Sequence, residues 1–126
     1  MIRGIGVDIV RVPRIQAGLA RFGDRYARRL TTPEEYAAYR KAARPAHFLA
    51  KRFAAKEAAA KALGTGFRFG LSLRHIGVVA DELGRPGLEF RARARELAAE
   101  RGIRAAHLSL ADEDDYAVAY VVLEGP

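Results

Sequence analysis

The N-terminal part of the chain begins with an apolar stretch, Ile2 to Val10, that is typical of a β-strand. A helix is predicted next, because Pro13 suits a first helical turn and apolar residues then recur every three to four positions. The recurring residues are Ile15, Leu19 and Phe22. Gly23 follows them directly and marks the predicted end of the helix.

Two further helices are indicated by their end signals. Thr32 to Glu35 combines an N-cap, a proline at the first helical position and a capping-box glutamate, which predicts a short helix through Tyr39. The strongest helical segment runs from Ala46 to Leu63 and contains eight alanines. Gly64 follows it as the predicted C-cap.

The C-terminal half alternates short strands with one helix. A hairpin is predicted from two β-type runs joined by a turn, followed by a helix ending at Gly102 and a second strand pair around an acidic turn. The predicted elements are strands Ile76 to Ala80 and Leu88 to Phe90, helix Arg91 to Arg101, and strands His107 to Leu110 and Tyr116 to Leu123. The last strand is apolar on both faces, so we expect both to be buried, one of them against another subunit. The class is α+β.

Length and composition fit one domain spanning residues 1–126, half of them hydrophobic. The absence of cysteine excludes disulfides, a thiolate nucleophile and a cysteine-based zinc site. Arg3 and Asp8 interrupt the apolar stretch near the start, so no secretory signal is predicted. The longest apolar run, Ala117 to Leu123, is far shorter than the ~20 residues that cross a bilayer. We therefore expect a cytoplasmic protein without membrane contact.

The net charge of +7 predicts negatively charged partners, among them nucleic acid, phosphorylated small molecules and acidic proteins. The basic residues are four lysines and eighteen arginines. The arginines are dispersed, and no basic stripe with interleaved aromatic residues occurs. A nucleic-acid-binding module is therefore the weaker alternative.

Three charged residues are candidates for chemistry. Asp8 stands alone in an apolar strand, where a buried carboxylate needs a cation or a hydrogen-bond donor. Either a bound metal ion or the backbone of the following turn, capped by Asp8, would meet this need. Glu57 and Lys61 share one face of the predicted helix with Phe53. They fit a metal-and-phosphate site, but spacing alone favours an ordinary helical pair worth ~0.3–0.5 kcal/mol. Arg52 and Lys56 lie on a different face, and we expect both to be solvated.

Taken together, these segments resemble the bacterial holo-[acyl-carrier-protein] synthases, the small class of 4′-phosphopantetheinyl transferases. The resemblance runs nearly end to end and is strongest in two stretches, Gly4 to Val10 and Phe48 to Gly66. Weaker similarity covers Gly84 to Pro86 and Leu108 to Glu124. The resemblance implies an antiparallel sheet packed against the long alanine-rich helix, with other helices flanking it.

The activity that the resemblance implies is a Mg²⁺-dependent transfer of phosphopantetheine from the co-substrate coenzyme A. A serine hydroxyl of apo acyl carrier protein attacks the β-phosphate, and adenosine 3′,5′-bisphosphate leaves. Asp8 and Glu57 match the family's ligands for Mg²⁺, which Mn²⁺ can replace. Lys61 matches a lysine near the pyrophosphate, so the implied catalytic residues are Asp8, Glu57 and Lys61. Phosphoryl transfer agrees with this set, because it depends on charge neutralisation and positioning.

The resemblance also implies contacts with coenzyme A and with the carrier protein. Arg44, His47 and Arg52 fall where the family holds the 3′-phosphate, and Gly84 to Pro86 where it lines the adenine. Gly64 and Thr65, at the end of the central motif, complete the predicted set. The family docks the acidic carrier protein on a basic first helix. Residues predicted for that surface are Arg14, Arg21, Arg25 and Arg28. The implied assembly is a homotrimer with active sites between subunits.

One departure from the family leaves the general base open. Many members carry Ser-x-Ser-His where this chain has Ser109 to Asp112, so the histidine's role is not carried over. The candidates are a metal-bound water and Asp8 acting through such a water. A non-catalytic, coenzyme A-binding relative is a second alternative, which intact Asp8, Glu57 and Lys61 disfavour.

Overall fold

The computed structural model describes every residue from Met1 to Pro126 and confirms the α+β class. In chain order the elements are β1 (Ile2–Arg11), α1 (Val12–Phe22), α2 (Asp24–Leu30), α3 (Pro33–Arg40), α4 (Pro45–Leu63), a 3-10 turn (Leu73–His75), β2 (Ile76–Ala80), β3 (Pro86–Phe90), α5 (Ala92–Glu100), β4 (Ala105–Asp112) and β5 (Tyr116–Glu124). The capping box of α3 and the glycine C-cap of α4 form as predicted.

Helix α2 is absent from the predictions, which end the first helical region at Gly23. Gly23 does end α1, with a φ of 61°, but the chain re-enters a helix at the next residue. The seven residues of α2 carry no apolar stripe; burial of Ala27 and Leu30 stabilises the helix. Phe22, the last residue of the predicted apolar series in α1, is not buried. Its side chain is 54% exposed and stacks on Tyr26 of α2 at 6.4 Å between ring centroids.

The main sheet has the strand order β1-β5-β4, all antiparallel, and leaves β1 as an edge strand. Helix α4 packs across one face at very short range. A Cβ atom added to Gly4 would lie 1.9 Å from the Ala62 carbonyl oxygen, and one added to Gly6 would lie 2.0 Å from that of Ala58. The glycines of β1 and the alanines of α4 therefore allow the helix to approach the strand backbone, and any side chain at Gly4 or Gly6 would force them apart.

Strand β5 differs from its prediction on one face. The face towards α4 is buried and carries small and apolar side chains, among them Ala117, Ala119 and Val121. On the opposite face Tyr116 and Tyr120 are exposed, so within one chain only one face is covered. The predicted cover by another subunit stays a prediction.

Exposed apolar residues continue across this open face onto β1. Ile5, Val7 and Ile9 point away from α4 because they alternate with Gly4, Gly6 and Asp8, and each is more than half exposed. We refer to Ile5, Val7, Ile9 and Tyr120 as the open sheet face. No helix is long and apolar enough to span a membrane.

Candidate active site

Two predicted site residues meet at the edge of the main sheet. Asp8 lies on the face of β1 that packs against α4, and its side chain is 17% exposed. The Lys61 ammonium donates to Asp8 Oδ1 at 3.0 Å and to the Val7 carbonyl oxygen at 3.0 Å. Asp8 reaches Lys61 because side chains alternate along the strand, which places Asp8 on the face towards the helix. The glycine contacts with α4 leave little bulk between the strand and the helix.

Glu57 belongs to the same cluster and lies one helical turn before Lys61. Partial burial raises the pKa of the Glu57 carboxyl, and the negative charge of Asp8 raises it further. The charges of Lys61 and Arg14 act in the opposite direction. A divalent cation beside both carboxylates would relieve their repulsion and favour their ionised forms.

The two carboxylates of this cluster fit Mg²⁺ better than they fit a metal ion that protein ligands enclose on all sides. No group of three or more histidine, cysteine or acidic side chains occurs anywhere in the chain that could enclose an ion. Magnesium needs no such group, since it keeps several waters and is commonly held by one or two carboxylates together with substrate phosphates. Asp8 and Glu57, partly open to solvent, could supply those two carboxylates.

A second group of predicted residues lines a cavity of about 280 Å³ beside the β2–β3 hairpin. Arg52, Gly84 and Pro86 all border it. The Arg52 Nε atom is buried without a hydrogen-bond partner, its guanidinium lies 4.2 Å from the centroid of the Phe48 ring, and burial lowers its pKa. A half-buried guanidinium at the wall of a cavity is suited to an anionic ligand.

The two groups lie on different sides of α4. Arg52 and Glu57 are five residues apart, which corresponds to about 140° around the helix. None of Asp8, Glu57 and Lys61 lines the cavity of Arg52. One chain therefore presents a carboxylate side, consisting of Asp8, Glu57 and Lys61, and an Arg52 cavity, lined by Arg52, Gly84 and Pro86 with their neighbours.

Other predicted contacts are not brought together with Arg52. His47 Nε2 lies 2.9 Å from the Asp114 carbonyl oxygen and 2.9 Å from Arg44 Nη2, so both side chains contact the β4–β5 turn. Thr65 is buried, and its hydroxyl donates to the Gly66 carbonyl oxygen. Gly64 caps α4 with a φ of 80°.

Three residues near this helix have positions that the sequence does not predict. Lys51 and Asp112 line the Arg52 cavity and lie 3.9 Å apart. The prediction that Lys56 is solvated is wrong, because its side chain is 0% exposed and pairs with Glu35 at 2.7 Å. Arg52, expected on the same solvated face, is half-buried. The eight alanines of the helix are the signal for close packing on several sides, and such packing leaves little exposed face for Lys56.

The predicted docking arginines lie along α1 and α2. Arg14 and Arg21 are exposed, with their guanidinium carbons 5.2 Å and 5.1 Å from the ring centroids of Phe53 and Phe22. Arg25 is also exposed. Arg28 is paired with Asp24 at 2.7 Å, which leaves it less available to a partner than the other three.

An α+β fold that brings two carboxylates and a lysine to a sheet edge, with an arginine-lined cavity nearby, is suited to phosphate chemistry. The model of the 4′-phosphopantetheinyl transferase superfamily matches residues 4–121. A holo-[acyl-carrier-protein] synthase of Hamiltonella defensa subsp. Acyrthosiphon pisum is 53% identical over 124 residues, which are 98% of each chain.

Solved structures agree with the sequence relatives. The crystal structure of holo-[acyl-carrier-protein] synthase from Neisseria meningitidis has a TM-score of 0.93 and 46% identity, and covers 98% of this chain and 99% of that one. The Helicobacter pylori enzyme in complex with coenzyme A has a TM-score of 0.83 and 28% identity, and covers 95% and 99%. The chain belongs to the 4′-phosphopantetheinyl transferase superfamily and is a transferase of that type.

Proposed function

We propose that this enzyme transfers the 4′-phosphopantetheine group of coenzyme A to a serine hydroxyl of apo acyl carrier protein and releases adenosine 3′,5′-bisphosphate, and that residues 1–126 act as a single transferase domain. The meeting of Asp8, Glu57 and Lys61 at one sheet edge carries the proposal. The relatives named holo-[acyl-carrier-protein] synthase and the relative solved with coenzyme A support the substrates.

In the proposed reaction the chain mainly binds, neutralises and orients. Asp8 and Glu57 would hold Mg²⁺, which when bound supplies positive charge to the pyrophosphate. Lys61 neutralises a further pyrophosphate oxygen from the same edge. Arg52 offers its guanidinium at the cavity wall to the 3′-phosphate, while Gly84 and Pro86 line the adenine. Arg44, His47, Gly64 and Thr65 stay predicted contacts of coenzyme A.

The nucleotide product and the metal requirement test this reaction together. We expect one adenosine 3′,5′-bisphosphate, separated by ion-exchange chromatography, for each carrier protein modified. Removal of divalent ions with EDTA should stop its release, and added Mg²⁺ or Mn²⁺ should restore it. Release of a different nucleotide, or undiminished release in EDTA, would contradict the proposed chemistry.

We propose further that the active enzyme is a homotrimer in which each site is completed by two copies. The carboxylate side and the Arg52 cavity lie on different sides of α4, so a second copy is the simplest way to bring them to one substrate. The open sheet face is the apolar surface available for it. A cavity of about 340 Å³ that includes Ile5, Tyr120 and Lys61 adjoins this face, so a covering copy would also adjoin Lys61.

A charge at the centre of the open sheet face should therefore break the assembly. Ile9 is 62% exposed in one chain, so Ile9→Glu should fold, but burying its carboxylate between copies would strongly disfavour assembly. By light scattering after gel filtration we expect wild type at three times 13.8 kDa, Ile9→Glu at 13.8 kDa, and transfer activity reduced with the trimer. Leu83→Glu, at an exposed apolar residue outside this face, is the matched control and should stay trimeric. A trimeric Ile9→Glu would refute this interface.

The docking of an acidic carrier protein on α1 predicts a selective kinetic effect. Reversing Arg14 and Arg21 to glutamate should raise the KM for carrier protein roughly 10-fold and flatten its salt dependence, because exposed charges act mainly on association. The KM for coenzyme A should stay nearly unchanged. The control reverses Arg95 and Arg104, which are also exposed and change the net charge equally. Parallel loss of affinity for both substrates would exclude α1 as the docking surface.

A further inference from the structure

A buried ion pair at Lys56 joins α4 to the rest of the fold. Along α4, Lys56 lies close to residues of both the carboxylate side and the Arg52 cavity. The Lys56 side chain is 0% exposed and that of Glu35 is 2% exposed. The Lys56 ammonium donates to Glu35 Oε1 at 2.7 Å, to the Leu73 carbonyl oxygen at 3.0 Å and to the Ile76 carbonyl oxygen at 2.5 Å. Its three N–H groups therefore have three acceptors, which is the full donor capacity of a lysine.

The Glu35 carboxylate is equally occupied. Oε1 also accepts the Thr32 backbone N–H at 2.8 Å, closing the capping box of α3. Oε2 accepts the Val78 backbone N–H at 2.6 Å. The pair thus connects the start of α3, the middle of α4, the 3-10 turn and strand β2 in one hydrogen-bonded group.

This hydrogen-bonded group lies beside the Arg52 cavity, where coenzyme A is proposed to bind, rather than beside the carboxylate side. Lys56 follows Arg52 by one helical turn on the same face, and Val78 itself lines the cavity of Arg52. The bonds from Lys56 to Ile76, and from Glu35 to Val78, therefore fix where β2 lies relative to Arg52. Gly84 and Pro86 belong to the same hairpin and move with β2.

The carboxylate side has a separate support. The backbone contacts of Gly4 and Gly6 with α4 hold Asp8 beside Glu57 and Lys61 without any involvement of Lys56. Loss of the ion pair should therefore affect the two sides unequally.

Stability alone gives little reason for an ion pair at this place. Burial lowers the pKa of Lys56, so the charged form is held against a desolvation penalty. Apolar residues of similar volume often stabilise a fold as well as a buried ion pair does. Unlike apolar residues, a salt bridge with directional bonds to three backbone segments also fixes the relative positions of those segments.

We propose that Lys56 and Glu35 are positioning residues, which hold the β2–β3 hairpin against α4 at the separation that the nucleotide half of coenzyme A requires. This rests on the proposed function for the identity of the nucleotide. The two residues act through Arg52 and the hairpin, without touching the substrate.

The test compares Lys56→Met with a core variant destabilised elsewhere. Leu123→Ala, at a fully buried position in the main sheet, serves as that control. For Lys56→Met we expect the KM for coenzyme A to rise about 10–100-fold, with the KM for carrier protein and the Mg²⁺ half-saturation within about twofold of wild type. Leu123→Ala should melt earlier than wild type and retain its KM for coenzyme A. Equal KM shifts in both variants, or an unchanged KM in Lys56→Met, would overturn the proposal.

A direct binding measurement separates this inference from the proposed reaction. Calorimetric titration with adenosine 3′,5′-bisphosphate needs no turnover, and Lys56→Met should bind it about 10-fold more weakly or worse. If Lys56→Met does not fold, Glu35→Gln takes its place, because it keeps the side-chain volume and one carbonyl acceptor. A folded Glu35→Gln with wild-type affinity would overturn the positioning role. Wild type that binds the nucleotide but transfers nothing would refute the reaction instead.

Discussion

Replacing Glu57 with glutamine should lower the turnover number of the transferase by about 10²–10³, the usual effect of removing one preorganised charge-stabilising group. Glutamine keeps the size of the side chain but cannot balance a divalent cation, so one of two proposed Mg²⁺ ligands is lost. The measurement is the initial rate of carrier-protein modification at saturating coenzyme A, with increasing Mg²⁺. Full activity of Glu57→Gln in the presence of EDTA would contradict the metal site.

The same substitution should not destabilise the protein. Because the pKa of Glu57 is raised in the folded state, its ionised form opposes folding at neutral pH. The stabilising contribution of the protonated carboxyl is fully present below the unfolded-state pKa and is lost as the pH rises through the raised value. We therefore expect Glu57→Gln to melt at or above the wild-type temperature at pH 7, and the difference to shrink as the pH falls. A clear loss of stability at pH 7 would assign Glu57 a structural role.

Replacing Lys61 with methionine should reduce turnover by about 10²-fold, because the pyrophosphate loses a positive group that acts as its charge develops. The Lys61 side chain is 53% exposed, and exposed ion pairs contribute only ~0–1 kcal/mol to stability. Thermal unfolding followed by circular dichroism should therefore change little.

Lys41→Met provides the matched control for this variant. Lys41 is exposed at the end of α3 and has no ion-pair partner, so its kinetics and melting temperature should equal those of wild type. Unchanged turnover in Lys61→Met, together with a clear drop in melting temperature, would show that Lys61 only stabilises the fold by pairing with Asp8.

Local rules account for much of the fold and for the carboxylate side. Alternation along β1 places Asp8 with Gly4 and Gly6, and helical spacing places Glu57 with Lys61. Spacing alone does not bring the two pairs together, and on spacing alone an ordinary Glu–Lys pair is the favoured interpretation. The resemblance to a known family favoured the site, and the glycine–alanine contacts supply the physical reason.

The missed features depend on partners distant in sequence. Lys56 and Glu35 are 21 residues apart, and each has a local explanation as a solvated helix residue or a capping-box member. Helix α2 likewise depends on the burial of Ala27 and Leu30 against other elements, which no periodicity in seven residues can indicate. Tertiary packing, rather than propensity, determines both.

Intact mass measurement of apo acyl carrier protein, incubated with this enzyme, coenzyme A and Mg²⁺, tests the central claim most directly. Transfer of phosphopantetheine predicts a gain of about 340 Da on the carrier protein, absent when its acceptor serine is alanine. The gain should also be absent with EDTA. An unmodified carrier protein under these conditions, with folded enzyme and Mg²⁺ present, would contradict the account.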